Sequence, residues 1–158
     1  YEWMATYTRS RAWSSQVMDL NVDQPLEVTD NAGRLNWDAP NRFVSWAYLP
    51  TKWKNWSVAY SVEARTGFPY SEVNEAGEIV GAVNSQRFPM FLSLNIHPEW
   101  KFVLFGRRWA LRGGFNNITN HANPTVAQAI PGMPVELLGS EGRHFVFRLR
   151  WIGKPPQS

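Results

Sequence analysis

Apolar and polar side chains alternate along the segment from Met90 to Phe105. Every second residue from Leu92 to Leu104 is apolar, whereas most of the intervening ones, such as Asn95, are polar. Because side chains on a β-strand point alternately to opposite faces, this pattern predicts a strand with one apolar and one polar face. The segment is about fifteen residues long, and a tilted strand needs only about nine to eleven residues to cross a bilayer. Length and alternation together favour a strand of an outer-membrane β-barrel.

Five further segments alternate in the same way and predict further strands. They span Tyr1–Ala12, Arg42–Leu49, Trp56–Thr66, Trp109–Thr119 and His144–Ile152. The facing of the second strand stays open, because Val44, Trp46 and Tyr48 share one side of it and its other side is mixed. The connections are long, short, long, short and long, with short turns at 50–55 and 106–108. Transmembrane barrels combine short periplasmic turns with longer extracellular loops. We therefore predict an all-β fold, an antiparallel meander of about six long strands that forms part of a transmembrane barrel wall.

The predicted organisation is one barrel region at 1–153 followed by a polar tail at 154–158. The chain opens at Tyr1 inside an alternating segment and shows no signal peptide. Closed membrane barrels begin at eight strands, so six are too few. We expect this sequence to be the C-terminal part of a longer protein, with the missing strands upstream.

Strand alternation assigns candidate residues to each face. The polar face, expected to line the lumen, comprises Glu63, Arg65, Asn95, His97, Glu99, Lys101, Arg112, Asn116, Arg148 and Arg150. The apolar face, expected to contact lipid, comprises Val58, Tyr60, Val62, Leu92, Leu94, Ile96, Phe102, Leu111, Phe147 and Leu149.

Tryptophan is concentrated near the short-turn ends of the predicted strands. The residues concerned are Trp3, Trp53, Trp56, Trp100, Trp109 and Trp151. Trp prefers the boundary between membrane and water, because its ring is apolar and its N–H needs a partner. These residues predict an interfacial aromatic girdle, and a tryptophan cluster at one end of a sandwich core is the alternative.

Composition narrows the remaining classes of protein. Mean hydropathy is −0.38, a value that does not exclude a barrel, because half of each barrel strand faces water. The sequence contains no run of eighteen apolar residues, so it predicts no transmembrane helix. The chain has no cysteine. Its net charge is only +3, and its 16 Lys and Arg residues are scattered along the sequence. This distribution gives little support to nucleic-acid binding.

No constellation of residues predicts catalysis or metal binding. His97, Glu99 and Lys101 share a strand face, but no third metal ligand lies at a useful spacing. The sequence has no Gly-x-Ser-x-Gly elbow and no glycine-rich phosphate loop before a helix. We expect a protein that is not an enzyme and needs no cofactor; a hydrolase built on His97 and Glu99 is a third alternative.

Five motifs resemble the C-terminal barrel strands of TonB-dependent outer-membrane receptors. In chain order they are WDAPNRF (37–43), TGFPY (66–70), NSQRFP (84–89), FNNITNHANP (115–124) and GRHFVFRLRW (142–151). Their order and spacing carry the resemblance, which spans about Asn36 to Lys154. Asn41 stands where the family usually has His, and six residues follow Ile152 where many outer-membrane proteins end on an aromatic residue. The subgroup resembled is the Oar-like receptors, whose full chains carry an N-terminal carboxypeptidase-regulatory-like domain.

The resemblance implies a fold, a function and a set of partners. The fold is a barrel of about twenty-two strands closed by a plug, of which this chain supplies about the last six. The function is energy-coupled uptake of a bulky solute (an iron chelate, an oligosaccharide or a peptide) across the bacterial outer membrane. The partners are outer-membrane lipid, the other strands and plug of the full-length chain, and the inner-membrane TonB complex. A soluble β-sandwich that binds carbohydrate through exposed Trp and Tyr is the alternative.

Overall fold

The fold consists of one large antiparallel sheet with loops at one end. A computed structural model describes residues 2–15, 32–72, 74, 76, 78–128 and 135–153. The long strands are β1 (Glu2–Arg9), β2 (Asn41–Pro50), β3 (Trp56–Arg65), β4 (Phe91–Leu104), β5 (Arg107–Asn116) and β6 (His144–Gly153). Each strand pairs with the next along the chain, which confirms the predicted all-β meander of six long strands. Tyr1 and the predicted polar tail at 154–158 lie outside the described residues.

The register joins the alternating patterns of neighbouring strands into two continuous faces. One row of directly opposed residues is Trp56, Trp100, Leu111 and Leu149, and the next is Ser57, Glu99, Arg112 and Arg148. Directly opposed residues of an antiparallel pair point to the same face. The register also fixes the facing of β2, since Tyr48 lies opposite Ala59. Val44, Trp46 and Tyr48 therefore belong to the polar face.

Short turns connect the strands at one end of the sheet. Between β4 and β5, Phe105 and Gly106 have φ values of 52° and 66°. Two consecutive left-handed residues make a type I′ hairpin turn, whose twist matches that of the flanking strands. The sequence-based turn at 106–108 was therefore placed slightly too late, and β5 begins at Arg107 instead of Trp109. In the other short turn, the Thr51 amide donates to the Trp56 carbonyl at 3.1 Å.

Long connections meet at the opposite end of the sheet, as the sequence predicted. Each contains a short two-stranded ladder: Trp13–Ser14 with Gly33–Arg34, Pro69–Tyr70 with Gln86–Arg87, and Val126–Gln128 with Glu136–Leu138. These ladders are separate from the main sheet.

Large buried apolar side chains are found at the loop end and not in the sheet. Among the described residues, the buried apolar residues of the sheet are the small Ala47 and Ala110, whereas Tyr70, Val83 and Phe88 belong to the connection between β3 and β4. The extensive contacts of each long strand are with its hydrogen-bonded neighbours. Over the described residues, the sheet is thus a single open layer with β1 and β6 at its edges. No helix in the described part of the chain is long and apolar enough to cross a bilayer.

Candidate functional site

The apolar face of the sheet carries exposed side chains at both edges and half-buried ones between them. Phe147 is 64% exposed and Trp151 60% on β6, and Trp3 is 70% exposed on β1. The register places all ten candidate lipid-facing residues on this face: Val58, Tyr60, Val62, Leu92, Leu94, Ile96, Phe102, Leu111, Phe147 and Leu149. Their contact with lipid stays a prediction.

Aromatic rings cluster on this face at the short-turn end. The Trp56 and Trp100 rings stack with centroids 6.1 Å apart, and Trp100 stacks on Phe102 at 4.7 Å. Trp109 lies opposite Trp151, and its indole N–H donates to the Leu104 carbonyl at 3.3 Å. Trp3 and Trp53 complete the predicted set, the latter in the turn between β2 and β3. The six residues therefore lie at one end of the sheet, and their place at a membrane interface stays a prediction.

The opposite face carries a buried carboxylate surrounded by cations. Glu99 is only 2% exposed, and its carboxylate lies 3.0 Å from Arg112, 3.6 Å from Arg150 and 3.9 Å from Lys101. The Tyr48 hydroxyl also approaches a Glu99 oxygen at 3.3 Å. The sequence predicted the charged members of this group on one face. It missed Tyr48, because alternation alone left the facing of β2 open.

A second ion-pair group lies on the same face, toward the long loops. Glu63 contacts Arg42 at 3.0 Å and Arg65 at 3.6 Å. The Arg65 guanidinium lies over the rings of Phe68 and Phe91, at 3.8 and 4.3 Å from their centroids. Arg42 was not among the candidates, although its place opposite Arg65 follows once the strand register is known.

His97 does not form the acid–base pair with Glu99 that the sequence left as an alternative. Within the described residues, its Nε2 atom is buried without a hydrogen-bond partner, and the Glu99 oxygens are bound by cations and Tyr48. The ring packs over Gly114, where an added Cβ would lie 2.7 Å from His97 Cδ2. No group of three metal-ligating side chains occurs in the described part of the chain.

The polar residues of the first three receptor-like motifs hold the long connections together. Asp38 is buried and pairs with Arg87, whose guanidinium also donates to the carbonyls of Asp38 at 2.7 Å and Gly67 at 2.9 Å. The Ala12 amide donates to the Asp38 carboxylate at 2.7 Å. One ion pair therefore ties the β1–β2 connection to the β3–β4 connection.

Asn84 links the same two chain segments through hydrogen bonds. Its side-chain amide donates to the Arg34 carbonyl and to Asn36 Oδ1, both at 2.6 Å. Its own backbone amide donates to the Ser71 hydroxyl at 2.8 Å. The side chain is almost completely buried, so these bonds satisfy groups that water does not reach.

The fourth motif fixes the last connection onto β4. The Asn123 side chain exchanges two hydrogen bonds with the Leu92 backbone, each 2.9 Å long, and so imitates a neighbouring strand. Asn117, at a φ of 47°, donates to the carbonyls of His121 at 2.8 Å and Glu141 at 3.0 Å. Asn tolerates the left-handed region better than most residues.

Comparisons with protein-family models, with curated proteins and with solved structures found no match to this chain.

Proposed function

We propose that this chain forms adjacent strands of an outer-membrane β-barrel, as the C-terminal part of a TonB-dependent receptor that takes up a bulky solute. One observation carries the proposal. The six-stranded sheet has an apolar face with exposed side chains on β1 and β6 and half-buried ones between them, with no second layer over it in the described residues, and a charged face on its other side.

Hydrocarbon is the surrounding that suits the apolar face. Leaving a large apolar side chain in water instead of burying it forgoes about 1.5–3 kcal/mol, and this face presents many such residues. Water-soluble monomers rarely expose apolar patches beyond a few hundred Å². A lipid environment removes this cost without requiring a protein layer.

The charged face and the open edges favour a barrel over a flat sheet in the membrane. Glu99 with its three cations, and Glu63 with its two arginines, are costly in hydrocarbon and need an aqueous interior. The outer backbone edges of β1 and β6 also need partners in lipid. Further strands of the same receptor, together with its plug, would close the wall and line the interior.

The two ends of the sheet suggest its orientation. Transmembrane barrels have short turns on the periplasmic side and longer loops outside. The aromatic girdle, with its exposed Trp3 and Trp53, would then mark the periplasmic interface. The TonB-dependent class is supported by the order of the five motifs, and solute uptake and energy coupling through the plug follow from that class. The chain itself would act as a passive wall, without catalysis or a cofactor.

Single-cysteine labelling tests the proposal, because this chain has no native cysteine. Cysteines are introduced one at a time at Ser93 and Leu94 on β4, and at Ser61 and Val62 on β3, in the full-length protein folded in lipid vesicles. Each is labelled with a fluorophore whose emission depends on polarity. We expect blue-shifted emission and quenching by spin-labelled acyl chains at 62 and 94, and quenching by aqueous iodide at 61 and 93.

Each pair of neighbours is its own matched control, since only the face differs. Equal access of iodide to all four positions would contradict the membrane assignment. Such a result, combined with solubility without detergent and binding of oligosaccharide, would favour the carbohydrate-binding module.

A further inference from the structure

Two arginines oppose each other directly on the polar face of β5 and β6. Arg112 and Arg148 are register partners, and like charges at such positions repel each other. Glu99 neutralises part of this charge, but it is already shared by Arg112, Arg150 and Lys101. In the described part of the chain, Arg148 forms no ion pair. This corner of the face therefore carries an excess of positive charge.

A cavity of about 270 Å³ adjoins these arginines. His97, Arg112, Asn116, Val146, Phe147 and Arg148 line it. The lining has no carboxylate, and its polar side chains are two guanidiniums, an amide and an imidazole. The amide nitrogen of Asn116 lies 3.0 Å from His144 Nε2. The chemistry of this lining is that of a site for a negatively charged group with several oxygen atoms.

The geometry of Arg112 leaves part of its guanidinium available. Its Nε and one terminal nitrogen both contact the same Glu99 oxygen, at 3.1 and 3.0 Å, which fixes the orientation of the plane. The other terminal nitrogen has no hydrogen-bond partner among the described residues. Arg148 presents its whole guanidinium, and this fork matches a carboxylate or a phosphate in a bidentate manner.

We propose that this cavity binds the oxyanion group, carboxylate or phosphate, of a small solute, with Arg148 as the main ligand and Arg112 as the second. The proposal rests on the proposed function, since it places the cavity on the water-filled side of the barrel wall. The solute taken up would then be one that carries an anionic group.

Isothermal titration calorimetry on the full-length protein in a detergent without phosphate tests this assignment. Inorganic phosphate and succinate are titrated separately at low ionic strength, so that the two sources of the oxyanion are distinguished. We expect at least one of them to bind. Arg148→Gln should weaken that binding about tenfold or more, because it removes a charge-assisted hydrogen-bonding group. Arg148→Lys, which keeps the charge and loses the fork, should weaken it less.

Arg143→Gln provides the matched control. It removes the same charge from the loop before β6, where Arg143 lies over the Phe115 ring at 6.0 Å. Binding of neither anion, or equal weakening by the 143 and 148 variants, would overturn the proposal. If Arg148→Gln does not fold, Arg148→Lys decides the outcome, and unchanged affinity in that variant also counts against the site.

The cysteine-labelling experiment keeps this test separate from the proposed function. Normal labelling of the two faces without anion binding would remove the site and leave the barrel wall intact. Anion binding that depends on Arg148, in a protein whose apolar face is open to iodide, would retain the site and remove the barrel.

Discussion

A single charge on the apolar face should destabilise the protein strongly if that face contacts lipid. Leu94 lies on β4 opposite Val62, among the candidate lipid-facing residues. Leu94→Arg places a guanidinium at this position without changing the polar face. The expected cost depends on how deep position 94 lies in the bilayer.

The depth can be worked out from the strand geometry. Leu94 is six residues from Trp100 in the aromatic girdle. At about 3.3 Å per residue and a tilt of about 40°, position 94 is roughly 15 Å from the girdle along the membrane normal. The apolar band of such barrels is about 25 Å tall, so this position is near the midplane, where Arg costs about 2–4 kcal/mol. The folding equilibrium should fall by roughly 30- to 1,000-fold.

Denaturant titration of the full-length protein in lipid vesicles measures this cost. Ser93→Arg is the matched control, because it adds the same charge one residue away on the polar face. Ser93 is opposite Glu63, so the new arginine would meet a carboxylate. Leu94→Ala separates the introduced charge from the loss of the leucine side chain.

Lipid contact at position 94 is ruled out if Leu94→Arg and Ser93→Arg change the free energy of unfolding by similar amounts, within about 0.5 kcal/mol. That is the size of effect expected for substitutions at water-exposed positions. The same outcome would be expected if the face were the open surface of a soluble protein.

Three further predictions concern packing and the loop end. Gly114→Ala should cost about 1–3 kcal/mol in a denaturant titration, because the new Cβ would overlap the Ile96 carbonyl. Gly113→Ala should cost far less, because the closest atom to its new Cβ is at the Phe145 ring edge, 3.3 Å away. Asp38→Asn should destabilise the loop end by about 3 kcal/mol, because the Arg87 charge loses its buried partner; limited proteolysis of the β3–β4 connection should then accelerate. Burial, followed by the nearby Glu72, raises the pKa of Tyr70. The protonated Tyr70 side chain therefore stabilises the loop end fully below a pH of about 10, and this stabilisation is lost as the pH rises through the raised pKa. Ultraviolet absorbance titration of the protein, compared with Tyr70→Phe, should show one tyrosine that ionises at a higher pH than usual.

The main sheet could be predicted because the alternation of apolar and polar residues is visible within the sequence of each strand. Alternation along β4 assigns Leu94 to one face and Ser93 to the other, and neighbouring strands repeat the pattern. β2 was ambiguous for a physical reason. Trp46 and Tyr48 are apolar enough to suggest the lipid face, yet Tyr48 lies on the polar face, where its hydroxyl reaches Glu99 and also contacts Ser57 at 2.7 Å.

The ion pairs were less predictable, because they depend on register between strands distant in sequence. Arg150 reaches Glu99 only because both β6 and β4 pair with β5. The two-residue turn between β4 and β5 was placed late, since Phe105 is an unusual residue in a left-handed conformation. The buried role of Asn84 depends on contact between the β1–β2 and β3–β4 connections and has no local signal.

Polar residues of the receptor-like motifs have identifiable structural roles at the loop end. Asp38, Arg87, Asn84 and Asn117 all satisfy buried backbone groups or charges of the connections. Such roles restrict the residue type at a few spaced positions and leave the intervening sequence free. The comparisons with known proteins found no match, so the resemblance of these motifs to the receptor family stays a prediction.

The two ends of the molecule therefore depend on different sources of stability. At the loop end, buried Tyr70, Val83 and Phe88 and the polar contacts of the motifs stabilise the connections from within the protein. The sheet has only Ala47 and Ala110 as buried apolar residues in its described part, so its large side chains need an apolar surrounding that the described residues do not provide. Under the proposed function a lipid bilayer would supply that surrounding, and this requirement would connect the alternation of the sequence to a membrane-spanning wall. Removing lipid or detergent should consequently destabilise the sheet more than the loop end, and hydrogen exchange measured separately for the two regions would reveal the difference.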